Sequence, residues 1–133
     1  MTDTAATEFI QSQVPLCATL GITADAARAD EVVLSLDWAP GLCTGNDVLH
    51  GGIVMALADS AGGVCAFLNL PAGARGTATI ESKTNFLAAT RSGAVRAHSR
   101  PLHIGKRVIV LETEVRGDDG KLAAKVLQTQ AVL

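Results

Sequence analysis

Two short features of this 133-residue chain carry residue types suited to chemistry. The first is Asp59. From Gly51 to Leu68 the only conventional polar side chains are Asp59 and Ser60, and an ionised carboxylate in an apolar helix is costly unless it is paired, hydrogen-bonded or opened to a ligand cavity. The second is His50-Gly51-Gly52, at the point where the apolar stretch begins. Two glycines at a helix start let a ligand approach bare backbone N–H groups at the positive end of the helix dipole, which is an oxyanion hole in outline. The plain alternatives are an Asp that caps a loop or pairs with an arginine, and a glycine-rich entry turn.

Helical spacing sharpens the reading of Asp59. The positions three and four away are Met55, Ala56, Gly62 and Gly63, with Gly52 and Ala66 a turn further out, whereas Ile53, Leu57, Val64 and Leu68 form a separate bulky stripe. The bulky stripe is expected to pack on a sheet, leaving the small face for a substrate or a second subunit. Nine residues from His50 to Asp59 cover about 13.5 Å along one helix, so one reacting carbon cannot touch both. If the two features serve one site, each comes from a different subunit, as a two-fold dimer provides.

The elements that position these groups follow from pattern. Residues 4–14 read as a short amphipathic helix stopped by Pro15, followed by strands at about 18–26 and 31–38. The breaker-rich loop 39–47 leads into the apolar helix, and four strand-like runs follow at about 77–87, 93–104, 106–116 and 121–132. Ile109, Leu111, Thr113 and Val115 alternate with Val108, Val110, Glu112 and Glu114; Gly117-Asp118-Asp119-Gly120 reads as a hairpin turn, and Pro101 as a bulge or an edge. One long buried helix among roughly six antiparallel strands describes an α+β fold, a sheet wrapped around a helix, in a single domain over 1–133. The helix just reaches membrane-spanning length, but four glycines, a central Asp and the sheet available to bury it argue for no membrane span.

Composition supports this and removes other classes. The chain is 48% hydrophobic with only 3% aromatic residues, so its core is packed from Val, Leu, Ile and Ala, and a stacking platform for nucleic acid is not expected. The net charge of −2 conceals an asymmetry: residues 1–74 hold eight acids and one base, whereas 75–107 hold seven bases and the single acid Glu81. That basic segment suits something anionic. Three widely spaced cysteines, Cys17, Cys43 and Cys65, fit neither a disulfide framework nor a zinc site, and the N-terminus has no export signal; both point to the cytoplasm.

Taken together, His50-Gly51-Gly52, Asp59 within Ala56-Leu-Ala-Asp-Ser60, Thr79 ahead of Asn85-Phe86-Leu87, Leu102-His-Ile-Gly-Lys-Arg107 and the terminal Leu127-Gln-Thr-Gln-Ala-Val-Leu133 resemble the hotdog-fold acyl-CoA thioesterases. The resemblance is to the phenylacetate-degradation type within the 4-hydroxybenzoyl-CoA thioesterase superfamily, and it runs over about residues 40–133. It implies a hotdog dimer, often paired into a tetramer, that hydrolyses acyl-CoA to a free acid and CoA without a cofactor. By that pattern the Gly51 N–H polarises the thioester carbonyl with Gly52 beside it. Asp59 of the other subunit acts as nucleophile or as general base, His50 orients the helix entry, and Thr79, or Thr77 within a small register error, helps to hold the lytic water. The family commonly has Asn or Gln six residues before the His; Thr44 stands there, and Asn46, four before, is the candidate for that polar role. The basic segment gains a partner in the phosphates of CoA, with Arg100, Lys106 and Arg107 as candidate contacts.

Other chemistries fit less well. Ala58-Asp-Ser-Ala-Gly62 misses the serine-hydrolase elbow by one glycine and places Ser60 in mid-helix, where that elbow cannot form. No metal is expected, since His98 and His103, five apart on a strand, should point to opposite faces. Two alternatives remain on the same fold: a hydratase or dehydratase, which needs a second acid or base that is not placed beside Asp59, and a non-catalytic acyl-CoA sensor, which usually brings a DNA-binding module.

Overall fold

The computed structural model describes all residues, 1–133. Helices α1 (Thr4–Gln13) and α2 (Pro15–Leu20) precede strands β1 (Thr23–Ala27) and β2 (Val32–Asp37); two 3-10 turns lead into α3 (Gly51–Leu68), and β3 (Thr77–Phe86), β4 (Ala94–Ile104), β5 (Val108–Gly117) and β6 (Leu122–Val132) complete the chain. The strands form one six-stranded sheet in the order β1-β2-β4-β5-β6-β3, every neighbouring pair antiparallel. The α+β arrangement that the resemblance implies, a sheet around one long helix, is the one observed.

The start of the chain differs from expectation. Asp3 caps α1 by accepting from the Ala6 N–H at 3.0 Å, but Pro15 does not hand the chain to a strand. It occupies the first turn of α2, where a proline has no N–H to lose and its fixed φ suits the helix. Gly21, at φ 72°, then closes α2 in the left-handed conformation, so the first strand begins only at Thr23.

Strand β5 follows its alternation closely: Ile109, Leu111, Thr113 and Val115 are fully buried against α3. The hairpin to β6 turns at Gly117–Gly120, where the Gly120 N–H donates to the Gly117 carbonyl at 3.0 Å and Gly120 takes φ +80°. Pro101 marks a bulge, since the β4–β5 register shifts between Pro101 and His103. That shift corrects the two histidines: His98 pairs with Glu114 and His103 with Val110, so both lie on the outer face rather than on opposite faces. Five residues of strand still separate them by about 16 Å.

Helix α3 crosses the concave face of the sheet. Its buried side is Val54, Leu57, Ala58, Ala61, Gly62, Val64, Cys65 and Ala66, with Ser60 9% exposed. The bulky stripe packs inward: Leu57 and Val64 lie in the core, and Ile53 and Leu68 are partly buried against it. Small residues share that side, and with Ala and Gly on the helix the Val and Leu side chains of the strands approach it closely. The face turned outward carries Gly52, Asp59 and Phe67. Although 18 residues with a mean hydropathy of 1.6 would suit a membrane span, this helix buries its apolar face on β2, β4 and β5. The three cysteines are unpaired, with Cys17 and Cys65 buried.

Removing a side chain at the helix–sheet contact leaves a cavity that a packed core fills poorly. Leu57→Ala is expected to lower stability by about 2–5 kcal/mol in urea unfolding, whereas Leu102→Ala, at a site 56% exposed, should change it by no more than about 0.5 kcal/mol.

Candidate active site

Asp59 lies at the middle of α3 on its exposed side, above the last two strands of the sheet. What holds it is set by register. Between Thr79 and Glu81 the β3–β6 ladder shifts, so that Thr79 pairs with Gln130 while Ser82 pairs with Gln128. Residues an odd number apart on a regular strand face opposite ways; the bulge at Ile80, which is 63% exposed, puts Thr79 and Ser82 on the same, helix-facing side. The Thr79 hydroxyl consequently donates to Asp59 Oδ1 at 2.7 Å, and the Asp59 carboxylate finds neither a loop to cap nor an arginine to pair with.

Two glutamines complete the arrangement. Gln128 Nε2 donates to Asp59 Oδ1 at 2.5 Å, and Gln130 Nε2 donates to Thr79 Oγ1 at 2.6 Å. A carboxylate can only accept, so the threonine hydroxyl must spend its one proton on Asp59 and accept from Gln130. Both glutamines are buried, 0% and 1% exposed. All side-chain bonds to Asp59 end on Oδ1; Oδ2 has no partner within the chain and is free for other work. Gln128 also explains a helix glycine: a Cβ on Gly62 would stand 1.8 Å from Gln128 Oε1. Glycine inside a helix costs about 1 kcal/mol relative to alanine, and here it is what admits the amide.

At the start of α3, His50 is the cap residue and its Nδ1 accepts from the Gly52 N–H at 2.7 Å. The His50 carbonyl takes the N–H groups of Ile53 and Val54 at 2.9 and 3.1 Å. Of the pair expected to offer donors, Gly52 is thus already engaged, and the Gly51 N–H alone is left without a partner. Gly51 opens on a largely apolar cleft of about 400 Å³ that also includes Thr44, Val54, Phe86 and Leu87. Asp59 opens on another, of about 370 Å³, with Thr77, Thr79, Gln130, Phe9 and Phe67. Within one chain the two features are therefore eight residues apart along the helix, about 12 Å, and face different clefts.

The remaining candidates sort themselves by placement. Thr44 lines the cleft beside Gly51, and Asn46 is exposed at φ 62° in the preceding turn. Thr79, not Thr77, bonds Asp59, although both line its cleft. Arg100 is paired with Glu31, and Arg96 with Asp118 at 2.7 Å and Asp25 at 3.6 Å. Part of the charge asymmetry is thus an internal match between β4 and the acids of the flanking strands and turn. Lys106 and Arg107 sit exposed in the turn between β4 and β5 with no ion pair. Arg75 lies at the same end of the sheet: its N–H donates to Leu133 O at 2.6 Å, next to the bond from Val132 N–H to Arg107 O at 2.9 Å.

Other nucleophiles are unsuited. The Ser60 hydroxyl is spent on the Ala56 carbonyl of its own helix at 2.7 Å. Burial pushes the Cys65 thiol up to about 11, which keeps it protonated and inert near neutral pH. Sequence reasoning did not assign a role to Gln128 and Gln130. Their signal was present in the alternation, since they continue the inward-facing series Ala124 and Val126 on β6, where a polar side chain must find a partner.

Against known proteins, the chain matches the thioesterase superfamily over residues 46–124. It is 34% identical over 86 residues to 1,4-dihydroxy-2-naphthoyl-CoA hydrolase of Escherichia coli, covering 65% of this chain and 62% of that protein. Among solved structures it superimposes on a thioesterase from Haemophilus influenzae with a TM-score of 0.88 at 25% identity, covering 99% of this chain and 93% of the other. A variant of a thioesterase from Pseudomonas aeruginosa gives a TM-score of 0.89 at 27% identity, with coverage of 98% and 96%. The chain spans about 60% of the length of the first curated relatives it matches. These structures share the six-stranded sheet wrapped around one helix, and the matched span holds His50, Gly51, Asp59 and Thr79 on the elements just described; the chain belongs to the thioesterase superfamily.

Proposed function

We propose that the protein hydrolyses an acyl-CoA thioester to a free acid and CoA, at a site built from two copies of the chain. In this reading Asp59 of one copy faces the Gly51 N–H of the other. The observation that carries it is the Asp59 carboxylate, held on Oδ1 by neutral donors with Oδ2 left free. The acyl-CoA substrate accords with the naphthoyl-CoA hydrolase among the relatives, and the phenylacetate-degradation type of activity is proposed from the resemblance of the sequence alone.

The chemistry asks little beyond these groups. The Gly51 N–H donates to the thioester carbonyl oxygen, where negative charge develops as the carbon becomes tetrahedral. With Asp59 as general base, Oδ2 takes a proton from water as its oxygen bonds to the acyl carbon; the C–S bond then breaks and the CoA thiolate leaves and is protonated. With Asp59 as nucleophile, Oδ2 itself bonds to the acyl carbon, thiolate leaves, and water cleaves the resulting anhydride. Label entering the Asp59 carboxylate in a single turnover in H₂¹⁸O, as when water attacks the aspartyl carbon of the anhydride, identifies the nucleophilic route. Thr79 has its proton on Asp59, so in either route it holds the carboxylate rather than donating to water.

The dimer is supported by the edges of the sheet. Strand β3 ends the sheet with ten residues whose outer edge is unpaired, carrying exposed Ile80 and Phe86, a combination that calls for a covering strand. A second β3 is self-complementary across a two-fold axis, and a further pairing of dimers would make the tetramer that the resemblance implies. Lys106 and Arg107, free of internal ion pairs, are the proposed contacts for CoA phosphates, and Arg100 contributes less because Glu31 holds it. Three neutral, unpaired cysteines accord with a reducing, cytoplasmic setting.

With a panel of acyl-CoA thioesters and a thiol-reactive dye, wild type should release CoA and Asp59→Asn should lose about 10²–10⁴-fold in kcat/KM; equal rates for the two would refute the reading. Gly51→Pro removes the donor at a first helical position that suits proline, since His50, at φ −61° and ψ 134°, already has the backbone that precedes it; the added Cβ would stand 3.1 Å from Phe86 Cζ, so the Phe86 ring must shift slightly to admit it. The substitution should cost about 10²–10³-fold in kcat. Lys106→Ala with Arg107→Ala should raise KM with kcat unchanged, the increase shrinking as salt is added; unchanged KM would place the phosphates elsewhere.

A further inference from the structure

We infer that Gln128 is a positioning residue for Asp59: its amide fixes Oδ1, and so aims Oδ2, from a seat in the core that Gly62 opens by having no side chain. The inference rests on the proposed hydrolysis, and it concerns a residue that touches the carboxylate rather than the substrate.

Three observations converge on it. Gln128 lies in the middle of β6, wholly buried, at a position where Ala124 and Val126 show that an apolar side chain would serve packing. Its Nε2 is 2.5 Å from Asp59 Oδ1, 3.3 Å from Thr79 Oγ1 and 3.5 Å from the Asp59 carbonyl, so one amide ties together the carboxylate, the hydroxyl that supports it and the helix backbone. The other end of that amide, Oε1, is buried without a partner and abuts Gly62. Leaving that acceptor unpaired costs stability, because the desolvation of such a group is uncompensated. The orphan oxygen is what it takes to bring Nε2 onto Asp59.

The choice of amide also fits. Arginine or lysine would make an ion pair with the carboxylate and quench it, and histidine would change its donors with pH. Glutamine donates at every pH and carries no charge. A carboxylate on the exposed face of a helix has a freely turning terminal torsion; two donors on the same oxygen, one from β3 and one from β6, remove that freedom, and the resulting alignment is worth rate because misplacement of a reacting atom by about 1 Å can cost on the order of 10²-fold.

The test is Gln128→Leu, which keeps the volume and removes both the donor and the orphan acceptor. The expected result is a fall in kcat of about 10–100-fold with KM within about twofold, while the midpoint of thermal unfolding stays level or rises because the unpaired oxygen is gone. In the Asp59→Asn background the same change should cost no further rate, as for groups that act as one unit. Gly62→Ala, which drives a methyl into the amide, should reproduce the kcat loss. Unchanged kcat in Gln128→Leu, or a kcat loss accompanied by a lower unfolding midpoint and an equal loss in the Asp59→Asn background, would overturn the assignment. If wild type hydrolyses no thioester, the proposed function fails separately, and the clamp is then read by NMR. The Gln128 side-chain amide should be protected from hydrogen exchange in wild type and lose protection in Asp59→Ala, which removes its acceptor; equal exchange in both would refute it.

Discussion

A single negative charge on the exposed side of an otherwise apolar helix sets the terms for the rest of the structure. Asp59 stands at the middle of α3 on its exposed side, and its neighbours on α3 offer no donor. The donors come from the two last strands of the sheet, Thr79 on β3 and Gln128 on β6, with Gln130 supporting the threonine. Each of these placements has a structural consequence. Thr79 faces the helix because β3 bulges at Ile80, and Gln128 reaches the helix because Gly62 lacks a Cβ. Hydrogen bonds to a charged acceptor are stronger than those between neutral groups, and the bond from Gln128 to Asp59 is of that kind.

The second constraint is length. A helix that presents its free N–H at Gly51 and its carboxylate at Asp59 separates them by about 12 Å, so the two cannot act on one carbonyl from the same chain. The free N–H is singular because His50 takes up the Gly52 N–H through its ring. A sheet that ends in an unpaired ten-residue strand supplies the means of bringing a second helix alongside. The fold, the distance and the edge strand thus support the same proposal, a site that one chain cannot complete.

Much of this was legible in the residues. The apolar run interrupted by Asp59 showed the buried helix and the group worth explaining, and the alternation along β5 showed which strand face meets it. Pro101 announced its bulge. What was not legible depended on contacts between distant residues. The bulge at Ile80 carries no proline or glycine, so the helix-facing direction of Thr79 could be taken only from family resemblance. Gln128 and Gln130 looked like ordinary strand residues until the register placed them under α3. Pro15 has two meanings, helix stop and helix start, and only the packing of Cys17 into the core decides for the second. The stripe of Ile53, Leu57, Val64 and Leu68 packs against the core as its spacing suggested, and Ala58, Ala61 and Cys65 join it because close approach to the sheet favours small residues. Arg100 looked free for a phosphate because Glu31, across the sheet, was invisible as its partner.

The central claim, that the site is shared, is tested most directly by mixing two inactive chains. Asp59→Asn carries an intact helix start and Gly51→Pro an intact carboxylate; unfolded together and refolded as mixed dimers, half of the pairs combine one of each, and each such pair holds one complete site. A shared site predicts that activity returns on mixing, to about one quarter of the wild-type level per chain by random pairing of two equivalent sites. A mixture that remains as inactive as its components, while the mixed dimer is shown to form, would contradict it.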